Sequence, residues 1–297
     1  MSCNQKQAYL IMAHGNFVQL KKLISLLDYE YHDIYIHIDK KSNITNLEEL
    51  KKEAKKSDIY IYKELKVYWG DYSQIETEFF LLKKATRKKY MYYHLLSGVD
   101  LPLTTPEKIY SFFKLNYGKE FINFSQKELK EEVVDRLKYY HFFLKHKNRD
   151  NNFFKILELI SIFIQKMFRV NRIKKDEKIQ KGANWFSITN NLSEYIISKE
   201  DYVKQRYKYT LCCDEVFMQS LVIDSPYKKK LYKYEYNDYK SIVRYIDWER
   251  GGPYTFQTED YELLIGLNKE YFFARKFDEK KDNIIINKIY NYIKKGD

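Results

Sequence analysis

The sequence predicts an α/β fold in a single domain: a central, mostly parallel sheet flanked by helices. Three observations predict it. Short apolar runs alternate with stretches whose apolar residues recur every three or four positions, the periods of buried strand and helix. Successive strand-like and helix-like segments follow at the spacing of crossover units, which favours parallel pairing. Glycine (9) and proline (4) are scarce in the 297 residues, and no repeat or Pro/Gly/Ser linker divides the chain. A chain of this length buries about three-quarters of its unfolded surface and builds a full core.

The elements follow in order. Tyr9-Leu10-Ile11-Met12-Ala13 reads as a buried parallel strand. Leu20, Leu23, Ile24 and Leu27 line one side of a helix from Phe17 to Leu27. Strands follow at 33–39, 59–62 and 92–97, with helices at 47–55 and 73–85 between them. Thr105-Pro106-Glu107 opens a further helix, with Thr as cap and Pro in the first turn. Phe121-Ile122-Asn123-Phe124 is a strand, and 153–172 is an amphipathic helix. Its polar side carries Lys155, Glu158, Ser161, Gln165, Lys166, Arg169 and Arg172. Its apolar side carries Ile156, Leu157, Leu159, Ile160, Phe163, Ile164, Met167 and Phe168. The plainer reading packs that apolar side on the sheet. The other lays it on an anionic membrane. Ligands of parallel sheets sit at the carboxyl ends of the strands, so the segments after Ala13, Ile38 and Ser97, and around Trp69, form the binding side.

Composition narrows the function. Three cysteines, two of them adjacent, form no disulfide framework and no CxxC metal pair. No apolar run reaches the length of a signal peptide core or a membrane span. The expectation is therefore no secreted disulfide scaffold, zinc ribbon or integral membrane protein. Lys and Arg (53) outnumber Asp and Glu (41), giving a net charge of +12. Such a balance suits a phosphorylated substrate, an anionic membrane or nucleic acid, although A/T-rich coding also enriches Lys. The 30 Tyr and 19 Phe come with no helix-turn-helix, RRM or KH signature, so no nucleic-acid partner is expected. Neither GxGxxG nor GxxxxGK[ST] occurs.

Eight segments, read together, carry a resemblance. In the first half they are Ala8 to His14, His37 to Ser42, Val67 to Gly70 with Ser73, and His94 to Leu103. In the second half they are Gly182 to Thr189, Asp214 to Phe217, Tyr245 to Trp248, and Phe272 to Asp278. In order and spacing they resemble the core-2/I-branching N-acetylglucosaminyltransferases and their bacterial relatives, a family that also holds the peptide xylosyltransferases. The resemblance implies a GT-A-type fold, a nucleotide-sugar donor, and inversion at the anomeric carbon without a metal. It makes residues 1–124 mainly the nucleotide-sugar half and 125–297 mainly the acceptor and catalytic half.

The chemistry of the residues agrees with that expectation. Metal-using GT-A enzymes hold a divalent cation on an Asp-x-Asp motif. No Asp-x-Asp occurs here, and Ser97-Gly98-Val99-Asp100 offers a single Asp at that place. Protein cations must then stabilise the departing UDP. Lys276 matches the family's diphosphate-binding Lys, with Arg275 beside it. Tyr254 stands where the family has a second cation, and Arg250 is the substitute candidate. Glu215 matches the catalytic base that takes the acceptor's proton. By itself, the pair Asp214-Glu215 also reads as acidic residues opening the helix Val216 to Val222, with Asp214 as its cap. Asp39 resembles the uridine contact and Trp69 a donor-site wall. Trp248, Arg136 and Trp185 are expected on the acceptor side.

The function expected from sequence is transfer of GlcNAc from UDP-GlcNAc to a hydroxyl of a glycan. UDP-xylose, UDP-glucose and UDP-galactose are alternative donors, and a glycan- or nucleic-acid-binding module without catalysis is the rival class. Without a recognisable anchor or disulfides, the chain reads as bacterial and cytoplasmic. Its acceptor is then expected to be lipid-linked, in surface polysaccharide synthesis at the inner face of the cytoplasmic membrane.

Overall fold

The structure, a computed structural model, describes residues 4–146 and 152–296. Cys3 lies outside the described residues. Nine strands are described: β1 (Asn4–Ala13), β2 (His32–Ile38), β3 (Asp58–Tyr62), β4 (Tyr90–Ser97), β5 (Leu101–Pro102), β6 (Phe121–Ile122), β7 (Phe186–Thr189), β8 (Arg244–Ile246) and β9 (Phe273–Arg275). The main sheet has the order β3-β2-β1-β4-β7-β6. Strands β1 to β4 are parallel, and β7 runs antiparallel to β4 and β6. The predicted class, a mostly parallel sheet flanked by helices, is the one the chain adopts.

Alternation along β1 builds two cores. Tyr9, Ile11 and Ala13 join the helices Phe17–Leu27 and Asn283–Lys295 on one side. Ala8 and Leu10 join the helices Ser73–Ala85 and Asn190–Ser198 on the other. Both faces of the strand are covered, so its run is apolar without polar interruption. The helix predicted at 47–55 stops at Lys51. Asp28 accepts the backbone N–H groups of Lys55, Lys56 and Ser57 and draws that stretch into a turn. Thr105 occupies the cap position of the helix Pro106–Leu115, but its side chain makes no capping bond.

A small second sheet, β5-β9-β8, sits at the carboxyl end of the first. The fully buried Arg244 of β8 fastens the two together. Its guanidinium donates to the carbonyls of Ile242 (2.8 Å), Leu95 (3.2 Å) and Phe186 (2.7 Å), and to Ser187 Oγ (3.2 Å). Leu95 and Phe186 belong to β4 and β7, so one side chain bridges three strands.

The amphipathic helix runs Asn152–Met167 and closes where Arg169 takes the left-handed conformation (φ 53°). Its orientation corrects the plainer sequence reading. The buried side chains are Glu158 and Gln165, and the apolar side faces solvent. Hydrogen bonding decides this. Glu158 Oε1 lies 2.6 Å from His141 Nδ1, while Gln165 accepts from the backbone N–H of Tyr140 (2.7 Å) and donates to its carbonyl (2.9 Å). The strap 139–143 thus takes the polar face inward.

Replacing Arg244 with Met removes the donors to carbonyls that water cannot reach. Arg244→Met is expected to lower the unfolding free energy by about 3 kcal/mol, measured by urea titration.

Candidate functional site

The carboxyl ends of β1, β2 and β4 and the loops beyond them form one edge of the molecule. Gly70 holds its turn in the left-handed region (φ 72°), and its carbonyl accepts the N–H of Cys212 (2.8 Å). A Cβ at Gly70 would lie 3.0 Å from a Leu211 methyl, so glycine permits this close approach. Gln74 completes the join. Its amide oxygen accepts from Gly70 N–H (2.5 Å), and its Nε2 donates to Asp214 (3.0 Å). The Trp69 turn is therefore tied to the loop bearing Asp214 and Glu215. The Trp69 ring itself is 75% exposed on this edge.

Asp214 is not the helix cap expected from sequence. The helix runs Phe217–Ile223 with Val216 at the cap, and the Asp214 carboxylate points into the protein. Burial, with the neighbouring Glu215 charge, pushes it up to about 7. Glu78, one turn beyond Gln74, is fully buried and is pushed well above the carboxylate range by burial and by Asp214.

Glu215 is the member of the pair that reaches solvent, its side chain 32% exposed. Two cations flank Oε2: Lys181 Nζ at 3.2 Å and Arg136 at 3.7 Å. Arg136 also pairs with Glu132 on its own helix, Glu131–Lys138. The Glu215 carbonyl accepts the N–H of Gly182 (2.9 Å). A Cβ at Gly182 would fall 1.8 Å from the Asn123 carbonyl oxygen, so this contact demands glycine. Tyr239 stands nearby, its hydroxyl pushed up to about 12 by burial and by the Glu215 charge, against a hydrogen bond with Trp248. Trp248 is half exposed and meets this group through Tyr239.

The cations of the second sheet differ in what they have left to offer. Arg275 donates to Asp100 (2.8 Å), and its guanidinium lies 4.3 Å from the Trp185 ring centre. Trp185 is thus a platform beneath Arg275. Asp100, the lone Asp at the expected Asp-x-Asp place, is buried, raised by that burial against the pull of Arg275. Arg250 is held by Asp247 and Asp260, each at 2.6 Å, and packs over Tyr254 at 4.0 Å. Its charge is matched by two carboxylates. Lys276 has no carboxylate partner among the described residues, while its carbonyl accepts from Phe256 (3.0 Å) and its N–H donates to Tyr254 (3.3 Å). Lys281 Nζ lies 5.4 Å from the Tyr254 ring centre, so the tyrosine that replaces a family cation has two cations around it. Among the described residues no group of three or more His, Cys, Asp or Glu is arranged to hold a metal.

Asp39, buried at the end of β2, accepts the N–H groups of Lys41 (2.9 Å) and Val67 (3.3 Å). It holds the loop leading to Trp69 against the sheet. A cavity of about 490 Å³, bordered by Lys174, Lys178, Tyr195, Tyr202 and Asp224, lies apart and includes none of the predicted site residues.

A family model described as Core-2/I-Branching enzyme matches residues 7–268. The chain belongs to the core-2/I-branching enzyme family, which are glycosyltransferases. Among the family's curated members, xylosyltransferase 2 of Rattus norvegicus is 25% identical over 296 residues, covering 91% of this chain and 32% of that protein. A xylosyltransferase of Ciona intestinalis is 24% identical, covering 94% and 33%. The chain thus spans about a third of the length of these relatives. Mouse xyloside xylosyltransferase 1 in its apo form superimposes with a TM-score of 0.37 at 11% identity, over 90% of this chain and 96% of that one. The family match ends before β9, so Arg275 and Lys276 lie beyond it.

Four residues of this family member's site escaped the sequence reading: Gln74, Lys181, Tyr239 and Lys281. Lys181 directly precedes the quoted Gly182 segment, so position was its only signal. Tyr239 is one of 30 tyrosines and carries no local mark.

The buried Asp214 sets a pH dependence. Its folded-state pKa, about 7, lies above the ordinary 3.8. Ionising it in the folded protein is costly, so it removes stability as pH rises from about 4 to about 7 and has no further effect above. Asp214→Asn still accepts from Gln74 and escapes that loss. The melting temperature of the variant minus that of the parent is expected to rise across this interval and then level off, measured by thermal denaturation at several pH values.

Proposed function

We propose that the protein is an inverting, metal-independent glycosyltransferase with Glu215 as its general base. The observation that carries this reading is the state of Glu215. It is the solvent-facing carboxylate of the 212–215 loop, fixed through Oε2 by Lys181 and Arg136 and close to Tyr239, which in turn hydrogen-bonds with Trp248. Both cations act on one oxygen, leaving Oε1 for an acceptor hydroxyl. Glu215 takes the hydroxyl proton as the new C–O bond forms at the anomeric carbon. The bond to the diphosphate breaks, and UDP leaves with the electron pair. Lys276, whose charge no described carboxylate matches, stabilises that leaving group, with Arg275 behind it. Trp248 and Arg136 receive the acceptor, Trp69 borders the donor, and Asp39 orders the loop that carries Trp69. Arg250, spent on two aspartates, serves the Tyr254 loop.

The donor proposed is UDP-GlcNAc and the acceptor a lipid-linked glycan of bacterial surface polysaccharide synthesis, met at the inner face of the cytoplasmic membrane. UDP-xylose is the second reading, favoured by relatives that are xylosyltransferases. A panel of UDP-sugars, followed by mass spectrometry of donor turnover, separates the two.

Glu215→Gln is expected to keep UDP affinity and to lower transfer by about 10²- to 10⁴-fold. Lys276→Ala is expected to weaken UDP binding by roughly tenfold or more, as calorimetry would show. UDP binding without turnover of any donor would instead support a binding module.

Metal independence has its own assay. Activity is expected to persist in EDTA, because Asp100 is engaged with Arg275; strict dependence on manganese would contradict this reading.

A further inference from the structure

The outward-turned helix Asn152–Met167 has no task in the chemistry above. At 1.5 Å per residue it is about 24 Å long. Its polar stripe is spent on the strap 139–143, which fixes its rotation. The opposite side presents Ile156, Leu159, Ile160, Phe163, Ile164 and Met167 to solvent in one band, with Leu159 and Phe163 67% and 68% exposed. Phe168 extends the band at its end. Monomeric soluble proteins rarely leave so continuous an apolar surface uncovered.

Charge selects the occupant. Lys166 borders the band, and Arg169, Lys174 and Lys175 follow the helix, all exposed. The protein carries a net +12, so a second copy would bring like charge against like charge. An anionic lipid surface supplies the opposite sign and an apolar interior. Large apolar groups on one side with basic residues at the border are the pattern of helices that lie in a membrane interface. No helix among the described residues is long and apolar enough to cross one.

We propose that this helix docks the protein, lying flat, on anionic membrane. Its position relative to the site gives the docking a use. Lys166 lies 3.5 Å from Asp135, next to Arg136 on the helix that reaches Glu215. The docked surface therefore borders the acceptor side, where a lipid-linked glycan would rise from the bilayer. That use rests on the proposed lipid-linked acceptor, while the docking itself does not.

The test is co-sedimentation of the full chain with vesicles of phosphatidylcholine alone or with about 30 mol % phosphatidylglycerol. At least about tenfold more protein is expected on the anionic vesicles. The double variant Leu159→Ser/Phe163→Ser is expected to lose most of that binding while keeping its melting temperature and its hydrolysis of donor in solution. Glu215→Gln is expected to bind vesicles like the parent, so a failed transfer assay leaves the docking result standing. Equal sedimentation with both lipids would overturn the proposal. So would undiminished binding by the double variant, or light scattering that shows a dimer which this variant converts to monomer.

Discussion

Arg244 is the constraint on which the rest depends. A fully buried guanidinium is costly to desolvate, and burial pulls its pKa down to about 10. It is retained because its donors satisfy carbonyls of β4, of β7 and of Ile242 in the turn before β8 at once. That geometry locks the small sheet to the large one. The small sheet carries Arg275 and leads into Lys276, and β8 leads into Asp247 and Trp248. Without the lock, these cations and the Trp248 ring have no fixed relation to the strand ends.

The second join runs through backbone contacts that tolerate little bulk. Gly70 meets Leu211, Gly182 meets Asn123, and Gln74 spans Gly70 and Asp214. The Gly70 and Gln74 contacts bring a loop from the first third of the chain against one from the last, and Gly182 joins that last loop to Asn123. They hold Glu215 by its backbone, while Lys181 and Arg136 hold its side chain. The acidic pair is thereby divided: Asp214 faces the interior and Glu215 the solvent. Two adjacent residues of like chemistry acquire opposite environments from one turn of backbone.

The positive charge is divided in the same way. Arg250 and Arg275 are matched by aspartates and serve architecture, Arg250 in the Tyr254 loop and Arg275 on Trp185. Lys276 has no such match among the described residues. A count of basic residues near the carboxyl end does not distinguish these roles, because pairing is set by the folded geometry, with partners as near as Asp247 for Arg250 and as far as Asp100 for Arg275. Asp100 and Arg275 are 175 positions apart.

Periodicity in the sequence determined the strand and helix order and the parallel core, because burial on both faces leaves a local imprint of apolar runs. Ordered segments in the sequence singled out Glu215, Lys276 and Trp248 as candidates. Tertiary structure alone decided the partners: Lys181 and Tyr239 beside Glu215, the inward turn of Asp214, and the aspartates that occupy Arg250. It also decided which way the helix Asn152–Met167 faces. The wheel of that helix shows an apolar side and a polar side but not which one meets the protein. The strap 139–143, with its His141 ring and Tyr140 backbone, offered hydrogen bonds to the polar side and so turned the apolar side out.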